Sequence, residues 1–256
     1  MIRLAVFYKM RKVNNMLEII IPVYNEADNI EKTFEEIQNN IEGPKRVLVV
    51  YDFEEDNTIP VVEACKDKFI FEIVVVKNEI GRGVINAIIT GFMTATSEMV
   101  LIMMADLSDK LDIVDLMVSK MEEGYDVVCG SRYMPGGEQH GGPFLKSLFS
   151  RTAGLSLHFL TGIPTHDVTN SFKMYSKRVL DAIIIESSGG FEIGLEITVK
   201  AYLNGYKVTE IPSRWYDRTE GTSNFHMWKW MPRYLHWYLM CIYKSWFKNP
   251  VRKEKN

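Results

Sequence analysis

Five short apolar runs alternate with four amphipathic stretches through the first half of this 256-residue chain. The apolar runs predict buried strands at residues 17–23, 46–51, 71–76, 100–105 and 126–129. The stretches between them carry apolar residues at helical spacing and predict helices at residues 29–40, 59–68, 84–95 and 113–123. Strands and helices in this order form right-handed crossovers and build a mostly parallel sheet covered on both faces. The sequence therefore predicts an α/β fold whose ligand site lies at the carboxyl ends of the strands.

Composition is that of a globular protein with one sizeable core, because 46% of the residues are hydrophobic and 25% are charged. The three cysteines are far apart in sequence, which indicates reduced thiols in a cytosolic chain. After Gly130 the regular alternation weakens, and a glycine-rich stretch at 136–142 predicts a mobile loop before a helical and antiparallel half. We expect an N-terminal extension over residues 1–16, with Met16 as an alternative start, a main domain over 17–226 and a C-terminal segment over 227–256.

Polar side chains follow the first, second and fourth predicted strands. The carboxyl ends of parallel strands meet at one edge of a sheet, so these side chains are expected to converge there. They are Tyr24, Asn25 and Glu26, then Asp52, Glu54, Glu55 and Asp56, then Asp106, Ser108 and Asp109. The chain contains neither a GxGxxG motif nor a P-loop, which argues against a dinucleotide oxidoreductase and a P-loop phosphotransferase.

The run MVLIMMADLSD at 99–109 ends abruptly in two carboxylates, Asp106 and Asp109. Hard oxygen ligands of this kind suit Mg²⁺ or Mn²⁺ held by a diphosphate, which needs one or two protein carboxylates. The alternative is that they cap the following helix, because Ser108 and Asp109 are ordinary residues at a helix start. This segment by itself leaves both interpretations open.

The C-terminal segment combines positive charge with aromatic side chains. Residues 228–256 contain seven Lys or Arg against one Glu, a net charge of +6 that leaves about −9 for the rest, together with four of the five tryptophans. Helical spacing places the bases on one stripe opposite an aromatic and aliphatic face, and the uncharged run at 237–243 is too short to span a bilayer. The pattern favours an amphipathic helix in the lipid headgroup region over a helix packed on its own domain or on a second subunit. An acidic body disfavours nucleic acid as a partner.

Six short motifs occur in an order that resembles the inverting family 2 glycosyltransferases. Four are shared widely in that family, and the last two resemble the branch typified by dolichyl-phosphate mannosyltransferase. They are PVYNE at 22–26, VVYD at 49–52, MADLSD at 104–109, GSRY at 130–133, DVTNSFKMY at 167–175 and RTEGTSNF at 218–225. The resemblance covers residues 17–225 and implies a GT-A type fold and a nucleotide-diphosphate sugar donor.

The resemblance also implies roles for individual residues. One group of residues, the donor set, would contact the base and ribose of the sugar donor. Asp106 would face the diphosphate and a Mg²⁺ or Mn²⁺ ion, with Asp109 as a further candidate ligand. The donor set is Pro22, Tyr24, Glu26 and Asp52, with Gly81 and Arg82 nearby. The sequence departs from the family at Tyr51 and at Met104, where acids are common, and a thioether is a poor ligand for a hard cation. We interpret the change at Met104 as a variant metal site.

Three arginines in matched motifs are candidates for phosphate binding: Arg132, Arg151 and Arg218. In the matched branch the corresponding arginines face the donor diphosphate and the acceptor phosphate, and a planar guanidinium binds phosphate oxygens bidentately. A phosphate monoester has a second pKa of about 6, so it is a dianion at neutral pH and needs no strong base. A sugar hydroxyl would need a base, and Asp167 is the candidate, with a turn or cap role as its alternative.

These residues predict an inverting transfer of a sugar from a nucleotide-diphosphate sugar to a polyisoprenyl phosphate. The enzyme would bind peripherally to the cytoplasmic face of a membrane. The alternatives are a glycosyltransferase that acts on a saccharide hydroxyl and a non-catalytic protein that binds nucleotide sugars. The motifs leave the sugar, the nucleobase and the oligomeric state open.

Overall fold

The computed structural model of the chain describes residues 16–217 and 227–247, with side chains from residue 230 onward in the second range. Three predicted features lie outside the described residues. They are residues 1–15 of the N-terminal extension, the RTEGTSNF segment with Arg218, and the tail from residue 248.

A seven-stranded sheet forms the centre of the molecule, in the order β3-β2-β1-β4-β7-β5-β8. Its strands are β1 (Leu17–Pro22), β2 (Lys45–Tyr51), β3 (Glu72–Lys77), β4 (Met99–Ile102), β5 (Val127–Ser131), β7 (Lys173–Ser176) and β8 (Val208–Pro212). All neighbours pair in parallel except β7, which is antiparallel to both β4 and β5. The predicted mostly parallel sheet is therefore confirmed.

Helices cover both faces of the sheet, as predicted. They are α1 (Ile30–Asn40), α2 (Thr58–Cys65), α3 (Val84–Thr94), α4 (Val114–Glu122), α5 (Phe144–Thr161), α6 (Lys177–Ala182), α7 (Glu192–Leu203) and α8 (Met227–Phe247). One apolar core joins the sheet to α1, α2 and α4, and a second joins its other face to α3, α6 and α7. Both cores consist mainly of Ile, Val, Leu, Phe and Met side chains, whose burial is the main stabilising contribution.

The fourth strand ends earlier than predicted, at Ile102 instead of Ala105. Its pairing with β1 stops at Ile20, and its pairing with β7 stops at Ile102 opposite Lys173. The chain then leaves the sheet although Met103 and Ala105 remain buried. As a result, residues 103–109 form a loop beyond the strand ends.

The glycine-rich stretch at 136–142 contains a short strand, which corrects its prediction as a loop. This strand, β6 (Glu138–His140), pairs in parallel with β9 (Arg214–Tyr216). Strand β9 comes from a distant part of the chain, so local sequence carries no signal of the pairing.

Helix α8 packs on the domain itself. Trp237, Cys241 and Ser245 are buried, and the first two join an apolar cluster with α5 and α7. One side of the helix therefore packs on its own domain, as in the alternative interpretation of this segment. The other side carries exposed apolar residues. Among the helices described, none is both long enough and apolar enough to cross a bilayer.

Candidate functional site

Exposed aromatic and cationic side chains lie at the carboxyl ends of β1 and β2. Pro22 is the last residue of β1, and Tyr24 follows it with 57% of its surface exposed. The Tyr24 ring lies 5.5 Å from the ring of Phe53, and the Arg82 guanidinium lies 5.0 Å from the same Phe53 ring. Flat surfaces of this kind are suited to stacking with a nucleobase.

The start of α2 holds the loop that follows β1. The Asn25 amide donates to the Asp56 carboxylate at 3.2 Å, and the Glu26 amide donates to the Thr58 hydroxyl at 2.9 Å. Asn25 has φ 55°, a left-handed conformation that asparagine tolerates better than most residues. These bonds determine where Tyr24 and Glu26 stand relative to β2.

Asp52 shapes the neighbouring loop. Its Oδ1 accepts a hydrogen bond from Asn78 Nδ2 and its Oδ2 accepts one from the Gly83 amide, each at 2.7 Å. Gly81 and Gly83 have φ of 143° and 127°, values that favour glycine. Asp52 thereby fixes the loop that carries Arg82, and the six residues predicted for the donor stand at one edge of the sheet.

The loop after β4 carries the two predicted metal ligands. The Ser108 amide donates to Asp106 Oδ1 at 3.1 Å, and Leu107 between them has φ 58°. Asp109 Oδ1 and Ser108 Oγ are buried and have no hydrogen-bond partner among the described residues. Burial, and then the nearby Asp106 charge, raise the pKa of Asp109 to about 7.

The oxygen atoms of this carboxylate loop fit a hard divalent cation. Carboxylate and hydroxyl oxygens are the ligands that Mg²⁺ and Mn²⁺ prefer, and a cation would compensate the two close carboxylates and the buried oxygen. No cluster of three or more His, Cys, Asp or Glu suited to a metal occurs within the described ranges. Two carboxylates are consistent with an ion that takes its remaining ligands from a diphosphate.

Arg132, which follows β5, is held by the buried carboxylate of Asp167. Its Nε donates to Oδ2 at 2.6 Å and its Nη2 donates to Oδ1 at 3.0 Å. Burial is the largest single effect and would raise the pKa of Asp167, but the Arg132 charge and the hydrogen bonds from Arg132 together lower it. Asp167 also accepts from the Thr169 hydroxyl and the Asn170 amide. This environment suits an anion that orients Arg132 better than it suits the predicted base.

A cavity of about 470 Å³ begins at these charged residues and extends between three helices. Asp106, Asp109 and Arg132 line its polar end. Side chains of α5, α7 and α8 form its apolar wall, among them Phe149, Leu195, Tyr234, Leu235 and Tyr238. A second cavity of about 570 Å³ adjoins it and contains Arg151, with Arg132, Tyr133 and Ser147 shared between the two.

Sequence reasoning missed several residues of this region. Phe53 lies against Arg82, Tyr133 lies against Arg132, and the buried Lys173 ties the 167–170 loop to α7 by donating to the carbonyls of Val168 and Gly194. The adjacency of Tyr133 to Arg132 in GSRY was the available signal. The contacts of Phe53 and Lys173 depend on loops that converge only in three dimensions.

A mostly parallel sheet with helices on both faces, and with carboxylates and arginines beyond its strand ends, defines the class as a GT-A type α/β fold. The chain belongs to glycosyl transferase family 2, whose family model matches residues 18–184. The family expected from the six motifs is therefore confirmed.

Two curated relatives extend the comparison. A dolichol-phosphate mannosyltransferase of Pyrococcus furiosus is 29% identical over 212 residues, which cover 81% of this chain and 58% of that protein. A polyprenol monophosphomannose synthase of Mycolicibacterium smegmatis is 28% identical, over 80% of this chain and 79% of the relative. This chain thus spans little more than half the length of the Pyrococcus protein.

Solved structures support the fold. Glucosyl-3-phosphoglycerate synthase from Mycobacterium tuberculosis, in complex with Mn²⁺, uridine diphosphate and glucosyl-3-phosphoglycerate, superposes with a TM-score of 0.66 at 14% identity. The superposition covers 89% of this chain and 80% of that one. Another structure of the same synthase, with Mg²⁺ and uridine diphosphate, gives a TM-score of 0.62 at 13% identity.

Proposed function

We propose that this protein transfers a sugar, with inversion, from a nucleoside diphosphate sugar to the phosphate of a polyisoprenyl phosphate at a membrane surface. The observation that carries the proposal is the 470 Å³ cavity, which joins Asp106, Asp109 and Arg132 to a long apolar wall. An acceptor with a charged head and an apolar chain is complementary to such a cavity. The names of the two curated relatives support the same acceptor class.

The donor would bind across the ends of β1, β2 and β4. Tyr24, Phe53 and Arg82 would contact the base, and Asp106 and Asp109 would hold a divalent cation beside the diphosphate. When bound, that cation supplies charge stabilisation for the leaving diphosphate. The Mn²⁺ and Mg²⁺ in the structures of the mycobacterial synthase support a cation in this fold.

The acceptor phosphate would be bound by arginines at the junction of the two cavities. Asp167 orients the Arg132 guanidinium through two hydrogen bonds, and Arg151 lines the adjoining cavity. One phosphate oxygen of the dianion attacks the anomeric carbon as the bond to the diphosphate breaks. No proton has to leave the nucleophile, so the low pKa of Asp167 is compatible with the reaction.

The surface beside the cavity would rest on lipid. Large apolar residues of α5 and α8 are exposed there, and we call this surface the apolar face. It consists of Phe144, Leu145, Leu148, Phe149, Phe159 and Leu160 on α5 and of Leu235, Leu239, Tyr243, Trp246 and Phe247 on α8. Phe144, Phe159 and Phe247 are more than 70% exposed. Soluble proteins rarely expose so many large apolar side chains on two helices that pack together, and the exposed bases Arg151 on α5 and Lys244 on α8 favour anionic lipids. We therefore infer peripheral binding to a membrane, and the three free, buried cysteines are consistent with its cytoplasmic face.

A direct assay tests the proposal. The full chain is incubated with Mn²⁺, a panel of radiolabelled uridine and guanosine diphosphate sugars, and either undecaprenyl or dolichyl phosphate in mixed vesicles or, in parallel, soluble saccharides. We expect a lipid-extractable labelled product with one donor, and we expect Arg132→Lys to reduce its formation by about a hundredfold, because a point charge replaces the bidentate fork. Transfer to a soluble saccharide but not to either lipid would support the saccharide-directed alternative. Nucleotide binding without turnover would support a non-catalytic sensor.

A further inference from the structure

Tyr133 makes two kinds of contact with the charged site. The Arg132 guanidinium carbon lies over the Tyr133 ring, 4.9 Å from the ring centroid. Its hydroxyl lies 2.9 Å from Ser150 Oγ and 2.9 Å from Gln139 Oε1. Ser150 also accepts a hydrogen bond from Arg132 Nη2 at 3.1 Å. One tyrosine therefore touches the arginine directly and through a shared hydroxyl.

The same network extends into strand β6 and helix α5. Gln139 is the central residue of β6, and its Nε2 donates to the Ser147 hydroxyl of α5 at 2.5 Å. Ser150 lies 2.5 Å from the Thr169 hydroxyl, which donates to Asp167 at 3.1 Å. The chain of contacts thus runs from Ser147 through Gln139 and Tyr133 to Ser150 and the Arg132–Asp167 pair. Polar networks with this many partners hold their members in one arrangement.

Strand β6 is also linked to the carboxylate loop through β9. Trp215, the central residue of β9, pairs with Gln139 on one side and bridges to Asp109 on the other. The Tyr216 amide donates to the Ser108 carbonyl, and the Lys110 amide donates to the Arg214 carbonyl. A shift of β6 would therefore reach both Arg132 and the loop of Asp106 and Asp109.

We propose that Tyr133 is a positioning residue that couples the placement of strand β6, through Gln139, to the orientation of the Arg132 guanidinium. The Tyr133 hydroxyl holds β6 against the cavity, and through Ser150 it sets the plane in which Arg132 meets the acceptor phosphate. The inference rests on the proposed function for the identity of that phosphate. The coupling between β6 and Arg132 is independent of it.

The test compares Tyr133→Phe, Gln139→Leu and the double variant with the wild type. Tyr133→Phe keeps the ring over Arg132 and removes the hydroxyl alone. Tyr206→Phe is the matched control, because the Tyr206 ring also lies over an arginine, Arg178, at 5.6 Å, but away from the cavities. The readouts are amide hydrogen exchange, the KM and kcat for polyprenyl phosphate at saturating donor, and the binding constant for the nucleoside diphosphate.

We expect faster exchange in each variant at Glu138–His140, at Arg214–Tyr216 and at Lys110, which donates to β9, with more distant segments unchanged. We expect kcat/KM for the acceptor to fall about tenfold in each single variant, which corresponds to the loss of about one hydrogen bond. The binding constant for the nucleoside diphosphate should change less than kcat/KM for the acceptor, because β6 reaches the carboxylate loop only through β9, and the Tyr206→Phe control should stay at the wild-type level. The double variant should lose less than the sum of the two single losses, because both single variants break the Tyr133–Gln139 contact.

Three results would overturn the coupling. The first is exchange in β6 and acceptor kinetics equal to those of the wild type. The second is a strictly additive double variant, which indicates independent effects. The third is a loss of protection throughout the chain, which indicates a general structural role. A wild type that transfers sugar to saccharides alone would remove the proposed function, whereas the exchange data would still decide the coupling.

Discussion

At the scale of single residues, backbone strain is concentrated at the carboxylate loop. Leu107 has φ 58°, and a leucine in that region is far less favourable than a glycine. Strain of this kind persists where surrounding contacts enforce it and is common at functional sites. Here the enforced turn allows the Ser108 amide to donate to Asp106, which fixes the direction of that carboxylate.

Replacing Leu107 tests whether the turn stores energy. Leu107→Ala and Leu107→Gly both remove the side chain, but only the glycine relieves the left-handed strain. We expect the glycine variant to be more stable than the alanine variant by about 0.5 to 1 kcal/mol, after allowance for the greater freedom of glycine in the unfolded state. Urea unfolding of both variants measures the difference. An alanine variant as stable as the glycine variant would show that the turn is unstrained.

The carboxyl of Asp109 makes stability depend on pH. Its pKa in the folded protein, about 7, lies above its ordinary value of 3.8, so the native state binds this proton more tightly than the unfolded state. The stabilisation of the folded state by this bound proton is complete below about pH 4. It is lost as the pH rises to 7, because a buried charge must then form. Asp109→Asn removes this cost. In the presence of a chelator, we expect its stability relative to the wild type to improve by about 4 kcal/mol between pH 4 and pH 8.

Urea midpoints at several pH values measure that difference, with Asp67→Asn, on the surface beyond α2, as the control. A difference between Asp109→Asn and the wild type that stays constant from pH 4 to pH 8 would contradict the raised pKa.

At the scale of elements, local periodicity predicted what local interactions determine. The strands and helices of the first half lie where the apolar patterns placed them, with no end displaced by more than three residues. Strands β6 and β9 were not predicted, because each has three residues and exists through its pairing with the other. For α8 the pattern identified an amphipathic helix, but it could not show which apolar residues face α5 and α7 and which remain exposed.

The exposed stripe of α8 should determine vesicle binding. Leu239 is 53% exposed in the middle of the apolar face, and Leu239→Glu places a charge where the proposed lipid contact occurs. We expect the affinity for vesicles of phosphatidylcholine and phosphatidylglycerol to fall about tenfold or more, because apolar burial is lost and anionic lipids repel the new charge. Vesicle flotation measures it. Met93→Glu is the matched control, since Met93 is 76% exposed on α3 and outside the apolar face. Equal losses in the two variants would argue against a specific contact.

At the scale of the whole molecule, strand order decides which motifs become neighbours. Strand β4 lies beside β1, and the antiparallel β7 separates it from β5. The loops after β1, β2 and β4 therefore meet at one edge, while the 167–170 loop before β7 brings Asp167 to Arg132. The cavity is completed by α5, α7 and α8, which join from the second half of the chain.

Nucleotide binding should depend on this assembled edge. We expect uridine or guanosine diphosphate to raise the thermal midpoint of the wild type, and Mn²⁺ to increase that shift, because a ligand that binds the folded state stabilises it. Asp106→Ala should abolish the Mn²⁺-dependent increment. Asp67→Ala should behave as the wild type. Thermal unfolding with and without Mn²⁺ measures both, and a full increment in Asp106→Ala would exclude Asp106 as a ligand of the cation.

The sequence by itself determined the α/β class, the family and the set of polar residues at the strand ends, because apolar periodicity and motif order are local properties of the chain. The tertiary structure alone decided how those residues are used. It enclosed Asp167 with Arg132 and left one oxygen of Asp109 buried without a hydrogen-bond partner among the described residues. It also linked the Arg132–Asp167 pair and the loop of Asp109 to the β6–β9 pair. These outcomes depend on burial and on contacts between residues far apart in sequence, since desolvation and charge pairing are set by the folded surroundings and not by the order of residues.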